Sequence, residues 1–136
     1  MRSLHCDIFP VTLIFIDNET EFDRIMRKAQ GSADMLAEAR CFPTPGCAHT
    51  IALSGNGIGL VTLVTLGDFS EVPEEDIESI LTHEAVHVWQ FLKEAIGEDT
   101  PGCETEAYAI QYFARYLIQE FHYRQDKRAK ATANEK

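Results

Sequence analysis

The sequence predicts an α+β domain in which a small mixed or antiparallel sheet packs on two consecutive helices. Three observations support this prediction. An apolar run rich in β-branched residues lies at 9–16, two short apolar runs follow in the middle of the chain, and two helical stripes occupy its second half. The predicted order is β-α-β-β-α-α, and 136 residues are the length of one ordinary domain.

The first predicted strand covers residues 9–16, and the first predicted helix follows it directly. Asp17 or Asn18 supplies the helix N-cap, because a short side chain with an oxygen acceptor can bond to the free N–H groups of a first turn. The apolar side chains of this helix recur at helical spacing: Phe22, Ile25 and Met26. The helix is expected to end near Gly31, and residues 31–48 include a turn-rich loop.

Two further short strands are predicted at residues 49–54 and 58–66, joined by Gly55-Asn56-Gly57. Asn-Gly between two apolar runs favours the tight turn of a β-hairpin. The second strand stands directly before the next helix, and its glycines permit close backbone approach. We therefore expect this strand to pair with an extended peptide substrate by strand addition.

The next predicted helix begins near Pro73, because proline suits the first helical position and the acidic residues after it favour the positive end of the helix dipole. It is expected to stop at Gly97. Its apolar stripe consists of Ile77, Ile80, Leu81, Val88, Phe91 and Leu92. Glu84 falls in the middle of this stripe, and a carboxylate on a buried face is costly unless it has a partner or a chemical role.

Thr100 and Pro101 start the last predicted helix, which is expected to run to about Tyr123. Its apolar positions are Ile110, Phe113, Ala114, Leu117 and Phe121. The tail at residues 124–136 has no apolar residue larger than alanine, so we expect it to be charged and disordered. The sequence therefore predicts one domain at residues 1–123.

Composition narrows the classes of partner. The formal net charge of −10 argues against nucleic acid as the main partner, because phosphate binding needs a basic surface. The longest apolar run, residues 58–66, is too short to span a bilayer, and no apolar segment typical of a signal peptide follows Met1. We therefore expect a cytoplasmic protein with no membrane or nucleic-acid partner. Its four cysteines form no CxxC pair, so reduced thiols are expected, with a Cys41–Cys47 bridge as the alternative.

The segment His83-Glu84-Ala85-Val86-His87 carries the most specific chemical signal. Histidines four residues apart stand on one face of a helix, so their imidazole nitrogens can share one Zn²⁺. Glu84 is then within reach of a water on that ion and is the candidate general base. Catalytic zinc has three protein ligands. The next helix offers Glu104 and Glu106, which point in nearly opposite directions, so only one of them can bind.

The pattern His83-Glu84-x-x-His87, followed by a glutamate on the next helix, resembles the gluzincin branch of zinc metallopeptidases. Residues 83–90, 96–98 and 104–108 are also similar to small zincin-like proteins encoded by bacteriophages. The resemblance implies a minimal single-domain zincin-like fold with a Zn²⁺ cofactor. It also implies a phage or bacterial hydrolase that acts on a peptide or protein substrate.

Within this resemblance, Glu104 is the preferred third ligand and Glu106 is the alternative. In several gluzincin families the ligand glutamate is followed three residues later by alanine, and both candidates meet this condition. Glu104 also has Tyr108 at the fourth position, where a polar side chain can orient a ligand histidine. In favour of Glu106, eighteen residues separate it from His87, a spacing found in the aminopeptidase branch, and it faces the apolar side of its helix.

Two classes of function follow. The first is a zinc metallopeptidase with Glu84 as general base and Tyr108 or Tyr112 as the oxyanion stabiliser. The second is a catalytically weak or inactive zincin-fold binding or structural protein, for example a phage component, whose zinc site mainly stabilises the fold. Glu84 discriminates between them, because a structural site needs no glutamate beside the metal. A helical domain with an accidental motif is the remaining interpretation.

Overall fold

The computed structural model describes residues 3–29, 34–36, 41–54 and 59–134, and its architecture is α+β, which confirms the predicted class. The elements, in chain order, are β1 (Ser3–His5), β2 (Val11–Ile16), α1 (Glu19–Ala29), β3 (Asp34–Leu36), β4 (Ala48–Ser54), β5 (Leu60–Leu66), α2 (Glu74–Ala95) and α3 (Cys103–Asn134). The sequence did not predict β1 and β3, because a strand of three residues is too short to show an alternating pattern.

The described strands form one mixed sheet in the order β1-β2-β5-β4-β3. The central pair, β2 and β5, is parallel, and the other neighbouring strands are antiparallel. β4 pairs with β5 so that Ile51 lies opposite Leu63, as expected for a hairpin. The predicted turn Gly55-Asn56-Gly57 lies outside the described residues.

The central position of β5 corrects the prediction that a peptide substrate can pair with this strand. Residues 60–65 pair with β2 and residues 61–66 pair with β4, so the backbone groups on both sides of β5 are used within the sheet. The prediction was wrong because it considered only the neighbours of β5 in sequence, whereas β2 comes from much earlier in the chain. Among the described strands, β1 and β3 form the edges.

Different helices cover the two faces of the sheet. The face toward α2 and α3 forms the larger core, which includes Leu13, Phe15, Val64, Leu66, Leu81, Val88, Trp89, Leu92, Phe113 and Leu117. The opposite face packs on α1 through a smaller core of Ile16, Phe22, Met26, Ile51, Leu53 and Leu63. Because side chains alternate along a strand, β4 turns Ile51 toward α1 and its neighbour Thr50 toward α2.

The helix ends follow local capping rules with small shifts from the predicted residues. Asn18 caps α1, since its Oδ1 accepts a hydrogen bond from the N–H of Glu21 at 2.9 Å. Pro73 is the N-cap residue of α2, with φ −58° and ψ 144°, rather than its first helical residue. After α2, Gly97 adopts a left-handed φ of 71°, which favours glycine at this position. No helix in the described part of the chain is long and apolar enough to cross a membrane.

α3 continues far into the tail for which disorder was predicted, and an ion-pair cluster explains the difference. Arg124 donates to Asp17 Oδ1 at 2.8 Å and to Glu21 Oε2 at 3.0 Å. Its guanidinium also donates to the carbonyl oxygen of Phe15 at 3.1 Å, and Arg128 donates to Asp17 Oδ2 at 2.6 Å. These five residues, called here the Arg124 cluster, attach α3 to the end of β2 and the start of α1. α3 and its described contacts therefore continue past residue 123.

Candidate metal centre

His83 and His87 lie one turn apart on the outer face of α2, and their Nε2 atoms are 3.2 Å apart. Two nitrogen ligands of a tetrahedral Zn²⁺, each at ~2.0–2.1 Å from the ion, are separated by about 3.3 Å. The histidine pair therefore has the spacing that zinc requires of two of its ligands. His83 is exposed and His87 is half-buried, so an ion can reach both rings from solvent.

Gln90 orients one ring of this pair. Its Oε1 lies 2.9 Å from Nδ1 of His87, and because an amide oxygen can only accept, Nδ1 carries the proton. Nε2 of His87 then keeps its lone pair on the side that faces His83. Sequence reasoning missed Gln90, although its position three residues after His87 puts both on one face.

Glu84 lies on the side of α2 that faces the sheet and is only 5% exposed. Its Oε2 accepts a hydrogen bond from Thr50 Oγ1 at 2.5 Å. No cation among the described residues pairs with this carboxylate, which is unusual for a buried glutamate. Sequence reasoning missed Thr50, because it lies on β4, 34 residues before Glu84. The buried carboxylate thus has one neutral partner.

The two candidate third ligands lie in the first turn of α3 and differ in their surroundings. Glu104 is exposed, whereas Glu106 is half-buried and its Oε2 accepts a hydrogen bond from Trp89 Nε1 at 2.8 Å. Trp89 follows His87 by two residues, so it projects from α2 roughly 200° around the helix axis from that histidine. The bond therefore turns Glu106 toward the side of α2 that is opposite the histidine pair.

The structure brings together two of the predicted metal ligands. Within the described residues, His83 and His87 have no third histidine, cysteine, aspartate or glutamate with a ligand atom within 4.8 Å of both. Neither Glu104 nor Glu106 therefore has a ligand atom within 4.8 Å of both histidines. A three-ligand site that uses Glu104 or Glu106 thus requires a movement of that side chain or of the first turn of α3, and the assignment of the third ligand stays a prediction.

The two tyrosines predicted to stabilise an oxyanion line a groove that does not include the histidine pair. Tyr108 and Tyr112 line a groove of about 450 Å³ together with Ile8 and Phe9, next to the β1–β2 connection. Burial, followed by the nearby Cys6 thiol, raises the pKa of Tyr112. The groove adjoins the motif helix through Trp89, whose ring centroid lies 5.9 Å from that of Phe9, and Trp89 projects away from the histidine pair. The described contacts do not bring either tyrosine to the histidine pair.

A second group of metal-ligating side chains, the Glu74–Glu78–His122 cluster, lies between the start of α2 and the middle of α3. His122 Nδ1 is 3.1 Å from Glu74 Oε1, and its Nε2 is 2.7 Å from Glu78 Oε1. Sequence reasoning treated His122 as a surface or hydrogen-bonded histidine. Its two carboxylate partners were not predicted, because they lie on another helix more than forty residues away.

No protein-family model, curated protein or solved structure matches this chain. The residues and their geometry therefore carry the functional proposal. His83 and His87 are the candidate ligands, Gln90 orients one of them, and Glu84 is the buried carboxylate on the same helix turn.

Proposed function

We propose that this protein is a zinc-dependent metallopeptidase in which His83 and His87 hold the ion and Glu84 is the general base. The observation that carries the proposal is the pair of Nε2 atoms 3.2 Å apart, next to a buried glutamate on the same helix turn. When bound, Zn²⁺ supplies a Lewis acid that activates water and polarises the scissile carbonyl. The substrate is a peptide or a protein.

The side chains around the pair have distinct tasks in this proposal. Gln90 holds the tautomer of His87 in which Nε2 is free to act as a ligand. Thr50 occupies Oε2 of Glu84, so the second oxygen, Oε1, remains to accept a proton. Glu84 takes this proton from the attacking water and passes it to the leaving amine.

The third ligand in the proposal is Glu104, with Glu106 as the alternative. Glu104 is exposed, so its side chain can reorient without breaking a described contact. Glu106 would first have to give up its hydrogen bond to Trp89. Both residues follow the short connection at 96–102, and a shift of this first turn of α3 would change the position of either carboxylate.

A zincin-fold binding or structural protein with weak or lost activity is the second candidate. The hydrogen bond between Glu84 and Thr50 favours it, because it gives the buried carboxylate a purely structural use in joining α2 to β4. In this case the histidine pair would hold zinc mainly to stabilise the fold. The two candidates differ in whether Glu84 matters for peptide hydrolysis.

Metal content and peptide cleavage together test both candidates. Wild type, His83→Ala and Glu84→Gln would be purified without added metal and their zinc measured. We expect His83→Ala to contain one zinc per chain less than wild type, and Glu84→Gln to keep it. A metallopeptidase cleaves members of a peptide library and loses about 10²–10⁴-fold of its rate in Glu84→Gln.

The outcomes separate the candidates. Zinc that depends on His83, without cleavage by wild type, supports the structural protein. Equal zinc content in wild type and His83→Ala, together with no difference in zinc titrations, contradicts both candidates and leaves the motif without a metal.

A further inference from the structure

We propose that Glu74, Glu78 and His122 form a second metal site, separate from His83 and His87, which binds one divalent transition-metal ion of the Zn²⁺ class. The site joins the first turns of α2 to α3. It goes beyond the proposed peptidase function and does not depend on it.

The geometry of the cluster brings three ligands from two helices together. Glu74 and Glu78 are one turn apart on α2, and both contact the imidazole of His122, which projects from α3. In the described part of the chain, this is the one place where three such residues have ligand atoms within 4.8 Å of one another. Ligand atoms around Zn²⁺ lie about 3.3 Å apart. The distances between the ligand atoms of the cluster, at most 4.8 Å, would therefore have to shorten by about 1.5 Å or less to hold the ion.

Side-chain movements alone can shorten these distances. The exposed fractions of the side chains are 66% for Glu74, 40% for Glu78 and 38% for His122, so all three have space to adjust. The ion would take one ring nitrogen of His122 and one oxygen from each glutamate, so the glutamate that now contacts the other ring nitrogen would move to the ion.

Charge also favours a cation at this position. Glu74 and Glu78 bring two negative charges, and the exposed Glu75 and Asp76 lie on the same turn. Acidic residues at a helix start are often explained by the helix dipole alone. The dipole does not explain why a histidine from another helix is placed between two of them, within 3.1 Å of each.

A cavity of about 330 Å³ adjoins the cluster and gives an ion room for water ligands. Glu74 and His122 line it, together with Gln125 and Asp126 of the next turn of α3. Asp126 therefore offers a further oxygen close to the site. A mixed set of imidazole and carboxylate ligands suits Zn²⁺, Co²⁺ or Mn²⁺, whereas Mg²⁺ and Ca²⁺ prefer oxygen alone.

The test is a titration with Co²⁺ and with Zn²⁺ of the full-length His83→Ala/His87→Ala protein, which lacks the first pair of ligands. We expect one ion per chain to bind, with a visible cobalt absorption band and an increase in Tm. Adding His122→Ala or Glu78→Gln abolishes the band and the Tm increase. Adding Glu75→Gln, which removes an equal charge from the same turn, leaves both unchanged.

Two results would overturn the second site. One is no binding of either ion to the His83→Ala/His87→Ala protein. The other is binding that survives both His122→Ala and Glu78→Gln, since the ion is then held elsewhere. Circular dichroism of each variant verifies folding, and Glu78→Gln keeps the size of the side chain in case His122→Ala unfolds. Failure here leaves the proposed function intact, because its ligands are absent from the titrated protein.

Discussion

Two buried polar contacts hold helices against the sheet, and they differ in how charge is balanced. In the Arg124 cluster, the side chain of Asp17 is 5% exposed and bonds to two arginines. At the other contact, Glu84 is also 5% exposed, but its described partner is the neutral hydroxyl of Thr50. At the first contact, the carboxylates of Asp17 and Glu21 each lie beside an arginine. The second leaves a carboxylate that has capacity for another partner, such as a proton or a cation.

The pKa of Arg124 reflects this balance. Burial lowers the pKa of its guanidinium, but the neighbouring carboxylates of Asp17 and Glu21 outweigh burial and raise the pKa above its ordinary value. The neighbouring carboxylates therefore favour the charged form of a side chain that already keeps its proton in proteins. An ion pair of this kind stabilises the fold, and its arginine is not a group that donates or accepts protons in catalysis.

The largest effect in this comparison is expected for Arg124→Met. It leaves Asp17 buried with one cation fewer, and breaking a buried ion pair from one side costs about 3–5 kcal/mol. Urea unfolding measures this free energy. Arg115→Met, at an exposed position of the same helix, is the matched control and should change stability by less than about 0.5 kcal/mol. Equal losses in both variants would show that the cluster does not anchor α3.

Thr50→Val should have the next largest effect on stability. It removes the hydroxyl but keeps the shape of the side chain, so an oxygen of Glu84 is left buried without a donor, at a cost of about 1–3 kcal/mol. Thr50→Ser keeps the donor and is the control. In the Glu84→Met background the loss should shrink, because no carboxylate remains to be satisfied. A loss that is the same in both backgrounds would mean that Thr50 acts through packing alone.

Gln90→Ala should weaken zinc binding without unfolding the protein. Removing a side chain that orients a ligand histidine typically lowers metal affinity about 10–100-fold. Competition with a zinc-sensitive dye measures the affinity, and Gln90→Glu, which can still accept from His87, should preserve it. Equal affinity in Gln90→Ala and wild type would show that His87 needs no such support.

The smallest change in stability is expected for Glu84→Gln. The amide oxygen still accepts from Thr50, and a buried charge without a counter-charge is removed, so unfolding should shift by less than about 1 kcal/mol. Thermal unfolding measures this shift beside the peptide-cleavage assay. A large loss of stability would assign Glu84 to the same structural class as the Arg124 cluster.

Features that depend on neighbours in sequence were predictable. His83 and His87 share a face because four residues make about one helical turn, and their nitrogens do meet. The N-cap at Asn18 and the stop at Gly97 also follow from local rules. These contacts require only the helix that contains them.

Contacts between distant elements were not predictable in the same way. Thr50 meets Glu84, and Arg124 meets Asp17, only after the sheet and the helices have packed. The composition of the tail predicted disorder because it contains no large apolar residue, yet buried ion pairs order its first turns. The third ligand of the proposed zinc site belongs to this class too, since its position depends on how α3 packs against α2.

The parallel pairing of β2 with β5 has a consequence for the order of folding. Val11 pairs with Leu60 and Ile16 with Thr65, so the centre of the sheet forms only after a long segment of chain has closed into a loop. The α2–α3 hairpin closes over residues 96–102 alone and is kinetically favoured. We therefore expect α2 and α3 to pair, with His83 and His87 on one helix face, before β4 brings Thr50 to Glu84. If the proposed zinc binds this pair, it can bind before the strands assemble.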